Sequence, residues 1–416
     1  MFVRRVAARA SLAVLLTGLA AAPGNAQMPK AVPLTLEEAQ ERAAESHPDL
    51  ALADADLKVA EADLVTAKTL PYNPEVGVAV SPRTRDVGGS RDYDASLDQT
   101  IELGKRGSRV RAAEARRAAA RARRDFTHLQ VRSGARRAYF LALAEASRVT
   151  ATREAEIVAD ELRAAARERL NLGAGTQLEV NVASAAAGRA RGERLGAERR
   201  YRRARAELAA AIGAAAGEDV EPSGEMPALG PPPSDEPAML ARALAERPDL
   251  LAVRQERLAA DAEVGLARAL GIPDPTIGVS YERTPEDRRL LVGVSVPIPL
   301  FNRNQGGRAA ARALRTRASV TEDAARRAVE REVRAAYQGC LLAREAVEGF
   351  DRDVVLKMDE NVDLARESFR AGKIGLFDFN VIRRDLVETQ IAYLDALAEL
   401  VEARYALELA AGTSLE

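Results

Sequence analysis

A spacing of about 200 residues relates two halves of this sequence, far longer than the roughly 20–50 residues of a solenoid repeat. Pro48-Asp49-Leu50 returns as Pro248-Asp249-Leu250, and Ala60, Ala62, Ala67 and Leu70 return as Ala260, Ala262, Ala267 and Leu270. After a slip of one residue, Pro74, Gly77 and Val78 return as Pro275, Gly278 and Val279. Further on, Arg167, Glu168, Gly173, Asn181 and Val182 return as Arg366, Glu367, Gly372, Asn380 and Val381. Ordered matches at so constant an offset do not arise from a shared Ala/Arg bias. The chain is an internal duplication, and each half must be one large substructure. Between the halves, Pro222, Pro227, Pro231, Pro232, Pro233 and Pro237 forbid a continuous helix, so residues from about 214 to 236 read as an extended connector. The expected organisation is therefore a leader at 1–26, a first repeat at 27–213, the connector at 214–236 and a second repeat at 237–416.

Each half carries the same order of elements. A helix opens it, with Leu50, Leu57 and Leu64 at one heptad position and Ala53, Ala60 and Ala67 at the other, a seam whose small residues allow close approach. Leu250, Val253, Ala260, Val264 and Ala267 keep that seam in the second half, with Arg257 interrupting it. Two strand-like stretches follow. Val76, Val78 and Val80 alternate with Glu75, Gly77, Ala79 and Ser81; Tyr93, Ala95, Leu97, Ile101 and Leu103 alternate with Asp94, Ser96, Asp98, Thr100 and Glu102. Ile277, Val279 and Tyr281 then alternate with Thr276, Gly278, Ser280 and Glu282, and their partner runs Leu290, Val292, Val294, Val296 and Ile298. The polar loops Pro82 to Ser90 and Arg283 to Arg288 make hairpins of these pairs, at about 74–103 and 275–298. One face is small and acidic and the other branched and apolar, and each strand of roughly ten residues is long enough to cross a bilayer when tilted. A sheet of four strands in lipid would leave both edges unpaired, at several kcal/mol for each backbone group, so several copies would have to close it together.

Beyond the strands each half runs into a long helix, a short break and a returning helix. From Lys105 to Leu172 there is no proline, and such a helix would be about 100 Å long. The breaks are Gly173-Ala174-Gly175-Thr176 and Gly372-Lys373-Ile374-Gly375, where glycine can take the positive φ that ends a helix. The returns run from about Gln177 to Ile212 and from Phe377 to Ala411. Composition agrees: charged residues make up 30%, aromatics 4%, and tryptophan is absent, a balance suited to long helices. The net charge of −1 argues against a nucleic-acid binder. Arginine is dense between Arg106 and Arg153, which reads as a solvated helix face.

At the N-terminus, Arg4, Arg5 and Arg9 precede an apolar run from about Ala10 to Ala22, and Gly24-Asn25-Ala26 offers small residues for cleavage before Gln27. That is a secretory leader. No cysteine follows the cleavage point, so no lipid anchor is expected at the mature N-terminus; Cys340, the one cysteine, permits no intrachain disulfide.

Catalytic and metal-holding constellations are missing. His47 precedes Pro48 and is replaced by Arg247 in the duplicate, which suggests a helix-entry role, and His128 stands alone on the long helix. Met28, Met226, Met239 and Met358 are scattered, so no soft-metal relay is expected. The chain is not expected to be an enzyme, to hold a metal tightly or to carry a cofactor.

Helix, hairpin, long helix, glycine turn and return helix, given twice after a leader, resemble the TolC family of outer-membrane efflux proteins. Leu34-Thr35-Leu36-Glu37-Glu38-Ala39 and His47-Pro48-Asp49-Leu50 carry the resemblance, while Ile101-Glu102-Leu103-Gly104-Lys105-Arg106 and Pro299-Leu300-Phe301-Asn302-Arg303-Asn304-Gln305-Gly306 look like its heavy-metal, CzcC-like branch. The resemblance implies a mostly α fold with a transmembrane β-barrel portion: a homotrimer whose copies supply four strands each to one twelve-stranded barrel, above a helical tunnel through the periplasm. It implies a passive exit duct of a tripartite pump, with a periplasmic adaptor (a membrane fusion protein) and an inner-membrane RND transporter as partners and outer-membrane lipid around the barrel. Gly173, Gly175, Thr176, Gly372, Lys373 and Gly375 would be the adaptor-docking tips. Asp378 matches an acidic gate position of the family, Glu179 is its equivalent in the first half, and a second gate aspartate would fall at Val381.

Three readings stay open at this point: a duct for heavy-metal cations, a duct for drugs, and, in a different class, a periplasmic coiled-coil adaptor or spacer with no pore.

Overall fold

The computed structural model describes residues 32–82, 91–226, 230–232, 234–350 and 357–415. The expected leader at 1–26 and most of the Pro82 to Ser90 loop lie outside the described residues.

The first half comprises β1 (Val32–Leu34), α1 (Leu36–Ser46), α2 (Pro48–Lys68), β2 (Glu75–Pro82), β3 (Arg91–Thr100), α3 (Arg106–Asn171) and α4 (Gln177–Ala211). The second comprises β4 (Val220–Pro222), α5 (Glu236–Glu246), α6 (Pro248–Ala269), β5 (Thr276–Arg283), β6 (Arg288–Ser295), α7 (Gln305–Glu348), α8 (Met358–Arg370) and α9 (Leu376–Ala411). Helix starts follow local chemistry. Thr35 accepts from the Glu38 amide at 3.3 Å while its own amide donates to the Glu38 carboxylate at 2.9 Å, a reciprocal cap on α1. His47 Nδ1 accepts from the Asp49 amide at 3.2 Å and Pro48 takes the first turn of α2, where its missing N–H costs nothing. In the duplicate, Arg247 instead grips Asp249 with two hydrogen bonds of 2.8 and 2.9 Å and reaches Glu332 at 2.7 Å.

The four long strands form one antiparallel sheet in the order β2-β3-β5-β6, so the two hairpins pair with each other through β3 and β5. Observed strands hold eight, ten, eight and eight residues. They are shorter than the alternation suggested at two ends. Glu102 leaves the sheet for Arg109, and β6 stops at Ser295 because Pro297 and Pro299 cannot donate to a ladder.

The helices repeat the order of the strands. The first part of α3 lies between α2 and α6, and α6 lies between α3 and α7; the second part of α3 lies between α4 and α9. The α2 seam is turned to α3, with Leu50, Leu64 and Ala67 buried. Gly107 and Gly134 do not break α3, whose 66 residues extend about 100 Å at 1.5 Å per residue. The dense arginines on it are not simply a solvated face. Arg109, Arg116, Arg123 and Arg137 fall on one heptad line and pair with Glu102, Glu263, Glu256 and Glu402, and Arg124 pairs with Asp54. Apart from Arg109–Glu102, where the carboxylate is buried, these pairs are partly exposed and contribute about 0–1 kcal/mol each, so their value is in register between helices.

Two findings depart from the sequence reading. The connector contains β4, which pairs in parallel with β1 (Val32 opposite Val220, Leu34 opposite Pro222). Around this pair Leu34, Val131, Tyr139, Leu208, Ile212 and Val220 form a buried cluster, and the Tyr139 hydroxyl donates to the Ser223 carbonyl. The second half also lacks a single long helix before its turn: α7 ends at Glu348, capped by Gly349, and α8 begins at Met358.

Candidate channel wall and helical tips

Strand register sorts the sheet into two faces. On one, Val76, Leu97, Val279 and Val292 stand in a row, flanked by the rows Val78, Ala95, Tyr281, Leu290 and Val80, Tyr93, Arg283, Arg288. On the other are Glu75, Asp98, Gly278, Gly293 and Ala79, Asp94, Glu282, Arg289, with Asp92 beyond. The usual arrangement of a water-soluble sheet is inverted. Val76, Val78 and Val292 are more than 70% exposed, whereas the polar-face residues of β3 and β5 are the sheltered ones. Such a face exposes a contiguous apolar patch that demands a covering partner or lipid. Gly278 serves this geometry directly, since a Cβ there would fall on the Asp98 carboxylate. The sheltered face carries Glu75, Asp92, Asp94, Asp98 and Glu282 against Arg289, so among the described residues it is an acidic wall.

Where sheet meets helices, a buried ionic knot fixes the angle between them. Lys105 Nζ lies 2.5 Å from Asp274, and the Tyr72 hydroxyl and Leu103 amide donate to the same carboxylate at 2.9 and 3.0 Å. Lys105 is 7% exposed and Asp274 8%. Burial pushes the Asp274 carboxyl upward, but Lys105, the Leu103 amide and the Tyr72 hydroxyl together outweigh it and hold the group below the usual carboxylate range. Sequence reading missed this knot, because its members are far apart in the chain and the duplicate has Asn73 where Asp274 stands.

At the far end of the helices the two glycine turns are the same structure twice. Gly173 has φ +74° and its amide donates to Leu170, while Ala174 donates to Arg169; Gly372 has φ +70° and donates to Phe369, while Lys373 donates to Ser368. These are paired closures of a helix C-terminus that need a left-handed residue at their centre. Thr176 caps α4, accepting from the Glu179 amide at 3.2 Å, and the Glu179 carboxylate accepts from the Thr176 amide at 3.2 Å. In the second turn Gly375 lacks a hydroxyl, so only half the exchange remains: its amide donates to Asp378 at 3.3 Å. Both carboxylates thus sit in a first helical turn, where they satisfy orphan amides and suit the dipole. Asp378 is exposed and Glu179 partly so; Val381 borders a cavity between α4 and α9. The two turns are joined by a buried cluster of Leu162, Val180, Ala365 and the fully buried Phe379, with the Phe369 ring 5.6 Å from that of Phe379. Leu172, Leu178 and Phe377 stay exposed around it.

A duplicated chain with an inverted four-stranded sheet on one end and helical hairpins on the other has the make-up of an outer-membrane export channel subunit. The chain belongs to the outer membrane efflux protein family, which matches residues 39–214 and 239–413; it is a transport protein of the outer membrane and not an enzyme. It is 29% identical over 375 residues to the cobalt-zinc-cadmium resistance protein CzcC of Cupriavidus metallidurans, covering 89% of this chain and 88% of that one. In fold it is similar to the CmeC outer membrane channel of Campylobacter jejuni (TM-score 0.77, 17% identity, 92% of this chain and 86% of that one). It is also similar to CusC (TM-score 0.75, 17% identity, 92% and 93%) and to the open-state MtrE outer membrane channel of Neisseria gonorrhoeae (TM-score 0.74, 20% identity, 92% and 89%).

Proposed function

We propose that this protein is the passive exit duct of a tripartite efflux pump and that its cargo is heavy-metal cations. Three copies close one barrel, apolar face to lipid and acidic face to water, with the helices continuing into the periplasm. The tips Gly173, Gly175, Thr176, Gly372, Lys373 and Gly375 meet a periplasmic adaptor, which links the duct to an inner-membrane RND transporter. Asp378 and Glu179 stand at the gate, where release from their capping roles accompanies opening.

The observation that carries the reading is the inverted sheet. Valines more than 70% exposed on one side and sheltered carboxylates on the other fit lipid outside and water inside, and a pore-free spacer has no use for either. Relatedness to a cobalt-zinc-cadmium resistance protein along nearly the whole chain supports metal cargo, and so does an acidic wall that attracts cations without gripping them. The test is deletion of the gene and complementation, scored as tolerance to zinc, cobalt and cadmium beside unrelated drugs. Loss of metal tolerance alone is expected; loss of drug tolerance alone replaces the cargo, and unchanged tolerance to everything overturns the duct.

A further inference from the structure

We infer that the apolar face of the sheet ends, at its hairpin tips, in a binding site for the phosphate groups of anionic membrane lipid, formed by Arg91, Arg283 and Arg288. This rests on the proposed placement of the sheet in a bilayer. The last full row of that face reads Val80, Tyr93, Arg283, Arg288, and Arg91 stands one step further out on the same face. Ile277 and Arg283 lie six residues apart on β5, about 20 Å along the strand and about 15 Å along the bilayer normal at the tilt of such strands, and the arginines end the apolar face at its hairpin tips. Tyr93 stands in the same row as Arg283 and Arg288 and Tyr281 one row further in, where amphipathic rings favour the headgroup level.

Two observations point to an anion. Arg283 and Arg288 are direct cross-strand partners, which puts their Cβ atoms about 5 Å apart, and like charges so placed destabilise a sheet unless something neutralises them. Among the described residues none of Arg91, Arg283 and Arg288 makes a side-chain ion pair, whereas Arg289, one residue on and on the sheltered face, pairs with Asp287 at 2.8 Å opposite Glu282. The one arginine of the sheltered face thus stands among carboxylates, whereas the rows of the apolar face that hold Arg91, Arg283 and Arg288 contain no acidic residue. The three arginines also share a cavity of about 450 Å³ with Tyr93 and the turn residues Glu286 and Asp287. Guanidinium groups bind phosphate oxygens in pairs, with stronger hydrogen bonds than neutral donors make.

The test uses the mature channel in nanodiscs of phosphatidylcholine doped with bis-phosphorylated lipid A or with its dephosphorylated form, and native mass spectrometry to read retained lipid. Wild type should retain the phosphorylated lipid. Arg91→Gln/Arg283→Gln/Arg288→Gln should retain it about tenfold less, the loss of two or three charge-assisted bonds, and Arg289→Gln should behave as wild type. Equal retention by the triple variant, equal retention of the dephosphorylated lipid, or complete displacement by inorganic phosphate alone overturns the inference, the last by making it a free-phosphate site. Planar-bilayer conductance of the same preparations separates the two levels. A wild type without conductance sinks the duct and this site together, whereas a conducting wild type with unchanged lipid retention in the triple variant sinks only the site. Should the triple variant not assemble, Arg91→Gln, which lies outside the cross-strand pair, carries the same comparison with a smaller loss.

Discussion

Lys105 and Asp274 are each the condition for the other's burial. Removing one partner of such a pair leaves an uncompensated charge and costs about 3–5 kcal/mol, while replacing both with neutral groups of similar size costs far less. Asp274→Asn is therefore expected to lower the unfolding midpoint markedly, and Lys105→Met added to it should recover most of the loss in chemical denaturation. Because the Asp274 carboxyl is held below its ordinary value, its contribution is fully present above the unfolded value of about 3.9 and is lost as pH falls through the lowered one. Acid below about pH 4 should thus loosen the sheet-helix junction, and Asp274→Asn should abolish that part of the pH dependence. Not every residue was legible at this scale. Asp378 and Glu179 match a gate position by resemblance, yet a carboxylate three residues into a helix has a capping role in any protein, and the structure places both in that role.

At the scale of elements, what the sequence made plain was periodic. The alternation of Val76, Val78, Val80 with Glu75, Gly77, Ala79 and the heptad line of Leu50, Leu57, Leu64 each state which side of the element faces what. Three-residue strands have no period to read, so β1 and β4 could not be found in Val-Pro-Leu and Val-Glu-Pro; only their parallel pairing defines them. The interruption between α7 and α8 has the same cause, since no proline marks it and Gly349 alone is a weak stop. The acidic wall gives the element-scale prediction. Asp94 and Asp98 lie on the sheltered face of the central strand β3, and a wall lined by one sign of charge raises the local concentration of counter-ions. Asp94→Asn/Asp98→Asn should lower cation over anion permeability, read as a shift of reversal potential toward zero in a salt gradient across a planar bilayer. An unchanged potential would place those carboxylates away from the water path.

Over the whole molecule, sheet and helices share one lateral order and end in free edges. In the sheet these are β2 and β6, separated by two strands and so by about 14 Å, beyond the reach of a disulfide. Cysteines introduced one at a time at Val76, Val78 or Val80 together with Val292→Cys can therefore bond only between copies. Oxidation should give a ladder ending at a covalent trimer for at least one pair, on a denaturing gel. Cys340 does not interfere, since it is buried and burial raises its thiol pKa. Persistent monomer for all three pairs would remove the barrel.

The short β1–β4 pair has a mechanical consequence. It cinches α3 near Tyr139, leaving 32 residues between that girdle and the Asn171 end of the helix, an arm of about 48 Å. A pivot of ten degrees about the girdle would carry the glycine turn sideways by roughly 8 Å, while the strands above stayed still. Displacement of the glycine turns therefore requires no rearrangement of the sheet: small angular changes at the girdle are magnified by the length of the arm below it.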